Sequence, residues 1–210
     1  MIYLIGGPPK CGKTTLAKRF SVAASIPWVS SDTLQNVIKP YIPEQDFTTK
    51  FPSSSMRYDS NDEKYTQQTT TTIVDAYRQQ AKTVYDAIES FIASEIADEN
   101  DYIIEGFHIE PELIAKLTGQ FPDQVRSVLV VKTDTDLFIE HLNESTTPND
   151  WVHIRTKDGP ATFPKIAAMV TGYSQQLEAE ALKYGVKVQK VDHDFDVQLQ
   201  VAIDYLTNKL

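Results

Sequence analysis

Residues 7 to 14 read Gly-Pro-Pro-Lys-Cys-Gly-Lys-Thr, with Thr15 next, and this spacing has a direct chemical meaning. Successive backbone N–H groups that feed a helix N-terminus, with glycines permitting close approach and positive φ, form a cradle for a chain of phosphates. Gly7, Pro8, Pro9, Lys10, Cys11 and Gly12 would wrap the phosphates, with Thr15 in the first helical turn. Lys13 would reach the β and γ phosphates, and Thr14 would hold Mg²⁺ through its hydroxyl. The preferred ligand is therefore ATP with Mg²⁺. For Cys11, a buried neutral thiol and a low-pKa thiol favoured by the positive field of the loop both fit the sequence.

Carboxylates and arginines supply the other candidates. Tyr102-Ile103-Ile104-Glu105-Gly106 is an apolar run ending in an acid; at such a strand end a carboxylate faces the metal or its waters, or is simply a solvated charge. Gly106 fits a backbone lying close to ligand. Asp32 is open to two readings: a helix cap, supported by Gln35 three residues on, or a carboxylate at the ligand-binding edge of a sheet that orients or deprotonates an acceptor. Arg155 is the best placed of five arginines to arrive over a transferring phosphoryl group, against the plainer reading of a solvated charge. Arg57 and Arg78 would bind an anionic acceptor, and Arg19 and Arg126 read as surface residues. The four histidines show no metal-ligand spacing, and only His108 lies beside the Glu105 strand end. Asp192-His193-Asp194 would form a loop over the adenine.

These residues need a scaffold, and the hydrophobic pattern provides one. Short apolar runs at 2–5, 27–30, 102–104, 125–131 and 186–191 alternate with helical patterns at 14–24, 32–39, 111–118, 134–144 and 163–184, which predicts an α/β fold with a parallel sheet. A long helix is expected from Ser60, capped with Glu63, to about Ala97, with a possible break at Thr69 to Thr72. Gly119 and Gly185 stand where helices should stop. Residues 40–60, with Pro40, Pro43 and Pro52, read as an irregular excursion outside the core. Ser145 to Pro160, with Pro148, Asn149 and Gly159, reads as a mobile lid.

Composition narrows the class. Among 210 residues, 20 Lys and Arg face 29 Asp and Glu, a formal charge of −9, which disfavours nucleic acid and anionic lipid as partners. A single cysteine excludes a disulfide framework and any multi-cysteine zinc site. No apolar run approaches the roughly 20 residues of a membrane span, and Met1 to Ile5 meets glycine too soon for a signal peptide, so no membrane association is expected and the cytosol is the expected compartment.

Several segments together resemble the P-loop small-molecule kinases, and within them the 2-phosphoglycerate kinase group: the loop at 7–15, Ile26-Pro27-Trp28-Val29-Ser30-Ser31-Asp32, Ile103 to His108 with Pro111, Val128 to Lys132, and Phe163-Pro164-Lys165-Ile166 leading to Gly185-Val186. The resemblance implies one kinase domain with a nucleoside-monophosphate-kinase-like core: a five-stranded sheet of order 2-3-1-4-5, three layers, an acceptor-binding insert at about 40–83 and a lid at about 145–160. The core would be 1–39, 84–144 and 161–210. Asp32, Arg57, Arg78, Glu105, Gly106 and His108 would then serve the acceptor, Thr14 and Glu105 the metal, and Lys13, Asp32 and Arg155 catalysis. The chain departs from the group at Gln35 and Lys39, where arginines are expected, and in a lid with Arg155 as its sole arginine, so the acceptor is expected to differ from 2-phosphoglycerate.

The preferred function is ATP- and Mg²⁺-dependent phosphoryl transfer to a small-molecule acceptor, a 2-phosphoglycerate-like or other small metabolite. The alternatives are a nucleotide-binding switch or NTPase module, a nucleoside monophosphate kinase, or a kinase of another macromolecule. Val131-Lys132-Thr133-Asp134 approaches a guanine-reading pattern, but valine lacks the polar contact and a Thr133 cap with Asp136 accounts for the same residues.

Overall fold

The computed structural model describes residues 1–145 and 150–207; Pro148 and Asn149 of the expected lid lie outside them. Five strands, β1 (Ile2–Gly6), β2 (Trp28–Ser30), β3 (Tyr102–Glu105), β4 (Val125–Val131) and β5 (Val188–Lys190), form one parallel sheet of order β2-β3-β1-β4-β5. This is the α/β arrangement and strand order expected. β1 is central because it is apolar on both faces: Ile2, Leu4 and Ile5 are fully buried, as a strand covered by helices on both sides must be.

The helices are α1 (Lys13–Ala24), α2 (Ser31–Ile38), α3 (Glu44–Lys50), α4 (Pro52–Ser55), α5 (Asn61–Gln67), α6 (Thr70–Ala97), α7 (Pro111–Gln120), α8 (Thr135–Glu144), α9 (Trp151–Ile154), α10 (Gly159–Tyr184) and α11 (Phe195–Leu206). α1 buries Lys13, Leu16, Ala17 and Phe20, the spacing of a single helical face. α6 and α10, of 28 and 26 residues, carry the main apolar stripes, with Ile73, Val84, Ile88 and Ile92 on one and Ile166, Val170, Tyr173 and Leu177 on the other.

Several local expectations are corrected. Residues 40–60 are largely helical rather than irregular: Glu44 and Asp46 in the first turn of α3 and Lys50 in its last complement the helix dipole, and Pro52 opens α4. Phe51 between them is fully buried and packs on Phe47 at 5.3 Å, so this segment does join the core. The break expected near Thr69 to Thr72 is present: the helix from Ser60 stops at Gln68, where the backbone is extended, and Thr69 caps a new start by accepting the Thr72 amide. α7 runs through Gly119 and ends at Gln120, whereas Gly185 does close α10 in the left-handed region at φ 67°. The segment at 150–160 is less polar in its packing than its composition suggests, because Val152 is fully buried and α10 already begins at Gly159. No helix among the described residues is long and apolar enough to cross a membrane.

Candidate active site

All five strands point the same way, so the loops that follow them gather at one sheet edge, and the crevice opens where connections from β1 and its neighbours diverge. A cleft of about 1110 Å³ lies there, bounded by the phosphate loop, the ends of β2 and β3, residues 53–64 and the 151–155 turn.

The phosphate loop follows β1 directly. Gly12 adopts φ 90° at the start of α1, with no side chain capping the helix, and a Cβ there would fall 2.6 Å from the Phe195 ring; both facts require glycine. Lys13 is 8% exposed, and its Nζ donates to the Pro8 carbonyl at 2.6 Å, which folds the ammonium back across the loop. Burial lowers its pKa, while Cys11, Glu105 and Asp32 pull the other way. Lys10 reaches out of the loop to Asp150 at 2.5 Å. Cys11 is fully buried, and burial raises its pKa despite Lys13 and Lys132, which overturns the reading of a low-pKa thiol.

At the start of α1 the Thr14 hydroxyl donates to Glu105 Oε1 at 3.1 Å. Glu105 is 3% exposed; burial raises its pKa, opposed by Lys13, Ser30 and Thr14. No cluster of three or more His, Cys, Asp or Glu side chains suited to a metal occurs among the described residues. A hydroxyl and one carboxylate fit Mg²⁺, which keeps most of its octahedron for phosphate oxygens and water rather than for an all-protein cage.

Asp32 is not the cap of α2. Ser30 takes that place and leaves the Asp32 carboxylate 57% exposed in the cleft, where burial by the surrounding walls still raises its pKa against Lys13 and Lys39. Gly106, at φ 153°, is needed because a Cβ would lie 1.8 Å from the Ser31 hydroxyl. Behind this wall runs a buried relay. His108 Nδ1 accepts from Ser31 Oγ at 2.7 Å, and His108 Nε2 donates to Gln35 Oε1 at 2.9 Å. Gln80 Nε2 donates to the same oxygen at 2.6 Å, and Gln80 Oε1 accepts the Ser54 amide at 2.9 Å. The donors and acceptors match throughout when the imidazole is neutral with its proton on Nε2. Burial accordingly depresses the His108 pKa to about 3. His108 thus sits behind the cleft wall, fully buried, and is not a substrate contact.

The arginines sort by their partners. Arg78, expected at the acceptor, instead donates to Glu110 at 3.1 Å and to Glu180 at 2.7 Å, in a cluster that Tyr85 and Tyr173 complete on Glu110; it tethers the β3–α7 turn to α6 and α10. Arg126 is tied to the Leu206 carbonyl, and Arg19 to Asp196. Arg57 and Arg155 do face the cleft, together with Lys64, which the sequence did not single out. Lys64 lies over the rings of Tyr65 and Tyr77 at 5.7 and 5.6 Å, and burial, then Arg155, lowers its pKa. Its signal was available: it lies four residues after the Ser60 cap, on the first face of a helix leaving the excursion.

The other half of the cleft holds Lys132, 8% exposed at the end of β4, with Phe138 and Phe195 rings 5.0 and 5.7 Å from its ammonium. Asp134 rather than Thr133 caps α8, accepting the Leu137 amide at 3.0 Å. Thr133 is engaged elsewhere: Asp192 accepts its amide and hydroxyl and the Asp134 amide, so the loop expected over the adenine also pins the β4–α8 turn.

No family model matches the chain. A mevalonate-3-phosphate 5-kinase from Thermoplasma acidophilum is 27% identical over 119 residues, 55% of this chain. The chain spans about half, 55%, of the length of that curated relative. Among solved structures, a gluconokinase from Sinorhizobium meliloti has a TM-score of 0.54 at 12% identity, over 99% of this chain and 91% of its own. Shikimate kinases from Bacteroides thetaiotaomicron and Aquifex aeolicus each score 0.51, at 11% and 13% identity, over 100% of this chain and 97% and 98% of their own. The chain has the fold these kinases have.

Proposed function

We propose that the protein is a P-loop phosphotransferase that moves the γ-phosphoryl group of ATP to a hydroxyl of a small acceptor bearing its own anionic group, a phosphate or carboxylate. One observation carries the reading: a single cleft joins Lys13 and the Thr14–Glu105 pair to Asp32 and then to Arg57, Lys64 and Arg155, three cations without a carboxylate partner among the described residues. In a chain of net charge −9 such a cluster calls for an anion from outside. The names of the sequence relative and the fold neighbours, all small-molecule kinases, agree with this.

In the transfer, the loop amides and Lys13 hold the β and γ phosphates. Thr14 and Glu105 would hold Mg²⁺, which would supply charge neutralisation for the phosphates. Asp32 accepts the acceptor hydroxyl proton as the new O–P bond forms and the bond to the β-phosphate oxygen breaks, releasing ADP. Arg155 offers its guanidinium to the charge spread over the transferring oxygens. Lys64 and Arg57 hold the acceptor anion.

The test is acceptor-dependent ADP release over a panel: 2-phosphoglycerate and other phosphorylated hydroxy acids, unphosphorylated hydroxy acids, nucleoside monophosphates and neutral polyols. Turnover with anionic members only is expected. Turnover confined to neutral polyols would overturn the acceptor class, and ATP binding without any acceptor dependence would overturn the kinase reading.

A further inference from the structure

The head of α5 and the arginine-bearing turn at 151–158 are bonded to each other far more densely than either is to the phosphate loop. Asn61, 3% exposed, donates its amide to the Arg155 carbonyl at 2.7 Å. Its side-chain nitrogen lies 3.3, 3.2 and 3.1 Å from the Trp151 and Val152 carbonyls and the Thr156 hydroxyl. Asp62 accepts the Lys157 amide at 2.8 Å on one oxygen, and on the other the Asp158 amide at 3.1 Å and the Thr162 hydroxyl at 2.6 Å. Arg155 closes the set by donating to the Tyr58 carbonyl. Against this, among the described residues the polar link between this segment and the phosphate loop is the Lys10–Asp150 pair at 2.5 Å.

The chemistry of Asp62 makes it the hub. Two consecutive backbone N–H groups at 157 and 158 lead into α10 and need acceptors, and an ionised carboxylate offers enough lone pairs for both and for the Thr162 hydroxyl. These bonds hold the Asp62 carboxyl below the usual aspartate range. The same helix carries Lys64, and Arg57 lies just before it, so the wall that meets the acceptor anion and the turn that carries Arg155 are one body, joined across 95 residues of sequence.

We propose that Asp62 is a positioning residue for phosphoryl transfer: it makes Arg155 travel with the acceptor wall rather than with the nucleotide loop, so that seating the acceptor is what brings the guanidinium to the transferring group. This rests on the kinase reading above. It assigns to Asp62, which does not line the cleft, the coupling between acceptor binding and turnover.

The test uses Asp62→Ala, which removes all three bonds, and Asp62→Asn, which keeps one acceptor oxygen and covers the case in which the alanine variant does not fold. Four quantities are read: Kd for Mg²⁺-ATP, kcat and KM with the acceptor, and amide exchange at Lys157 and Asp158 without ligands. In Asp62→Ala, kcat should fall at least tenfold and acceptor KM rise severalfold while the Mg²⁺-ATP Kd stays within twofold. Exchange at 157 and 158 should accelerate at least tenfold with phosphate-loop amides unchanged, and Asp62→Asn should lie between. Equal losses of ATP affinity and kcat would overturn the proposal in favour of a general fold anchor, as would unchanged exchange, or unchanged kcat and KM. If the wild type turned over no acceptor, the kinase reading and the role in transfer would fall together, and the exchange measurement would still decide whether the two segments are one body.

Discussion

The Ser30 hydroxyl accepts the Asp32 amide at 3.3 Å, so the cap of α2 is supplied two residues before the carboxylate that could have supplied it. This separates two duties that the sequence left combined. With the helix start already satisfied, the Asp32 side chain faces the cleft, and its burial-raised pKa favours a proton acceptor over a permanently solvated charge.

Asp32→Asn should therefore change stability by no more than about 0.5 kcal/mol, as for a surface substitution, while lowering acceptor-dependent kcat by a factor of about 100 or more. Ser30→Ala should cost about 1 kcal/mol of stability with a smaller loss of kcat than Asp32→Asn, because the same hydroxyl also bonds Glu105. Urea unfolding and steady-state kinetics on both variants make the comparison; a turnover loss confined to Ser30→Ala would return Asp32 to the role of a helix residue.

Removing charge at the phosphate end should act on nucleotide and metal separately. Lys13→Ala should leave the fold intact and abolish tight Mg²⁺-ATP binding, because the β and γ phosphates lose their point charge. Glu105→Gln keeps an oxygen for the Thr14 hydroxyl but not the charge, so ATP binding without metal should be unchanged or tighter while the Mg²⁺ concentration for half-maximal turnover rises about tenfold or more. Calorimetric titration of ATP with and without Mg²⁺ distinguishes the two variants.

The parallel α/β arrangement and the phosphate loop were legible because they rest on local signals: an apolar run leading into a glycine-bearing loop, and helices spaced to cover a parallel sheet. The strand order was implied by the family resemblance. The acceptor half was not legible, because its residues become neighbours only in three dimensions. Arg57 and Arg78 looked equivalent in sequence, yet Arg78 lies on α6 where Glu110 and Glu180 meet it, while Arg57 opens onto the cleft. Gln35 read as a missing arginine; it is 5% exposed and bonded to His108 and Gln80, a place where a guanidinium would lie buried without a counter-charge. His108 lies beside the Glu105 strand end but is fully buried behind the cleft wall, which no sequence spacing reveals.

The same sorting predicts opposite outcomes for two cations. Arg78→Met strands Glu110, which has no exposure of its side chain, and should destabilise the protein by about 3 kcal/mol without a specific rise in acceptor KM. Lys64→Met removes a cation that burial already disfavours and should be neutral or mildly stabilising, with acceptor KM raised about tenfold. Melting curves and acceptor titrations suffice; a stability loss at Lys64 with unchanged KM would remove it from the acceptor site.

The relay behind Asp32 should be visible in the pH dependence of stability. His108 is fully buried and bonded at both nitrogens as a neutral ring, and its pKa falls from 6.5 to about 3 on folding. Between those values the unfolded chain takes up a proton that the native state refuses, so the contribution is fully present above pH 6.5 and is lost as pH falls toward 3. At pH 5 the loss is about 2 kcal/mol relative to neutral pH. His108→Gln places a non-titrating amide with one donor and one acceptor at the same position, so the wild type's stability advantage over it should shrink by about 2 kcal/mol between pH 7.5 and pH 5. Urea unfolding of both proteins across that range measures the difference directly, and the subtraction cancels the carboxylates they share. A difference independent of pH, or an imidazole ¹⁵N signal showing native His108 titrating near pH 6, would mean that the ring is charged in the folded state and that the Ser31–His108–Gln35 wiring is wrong.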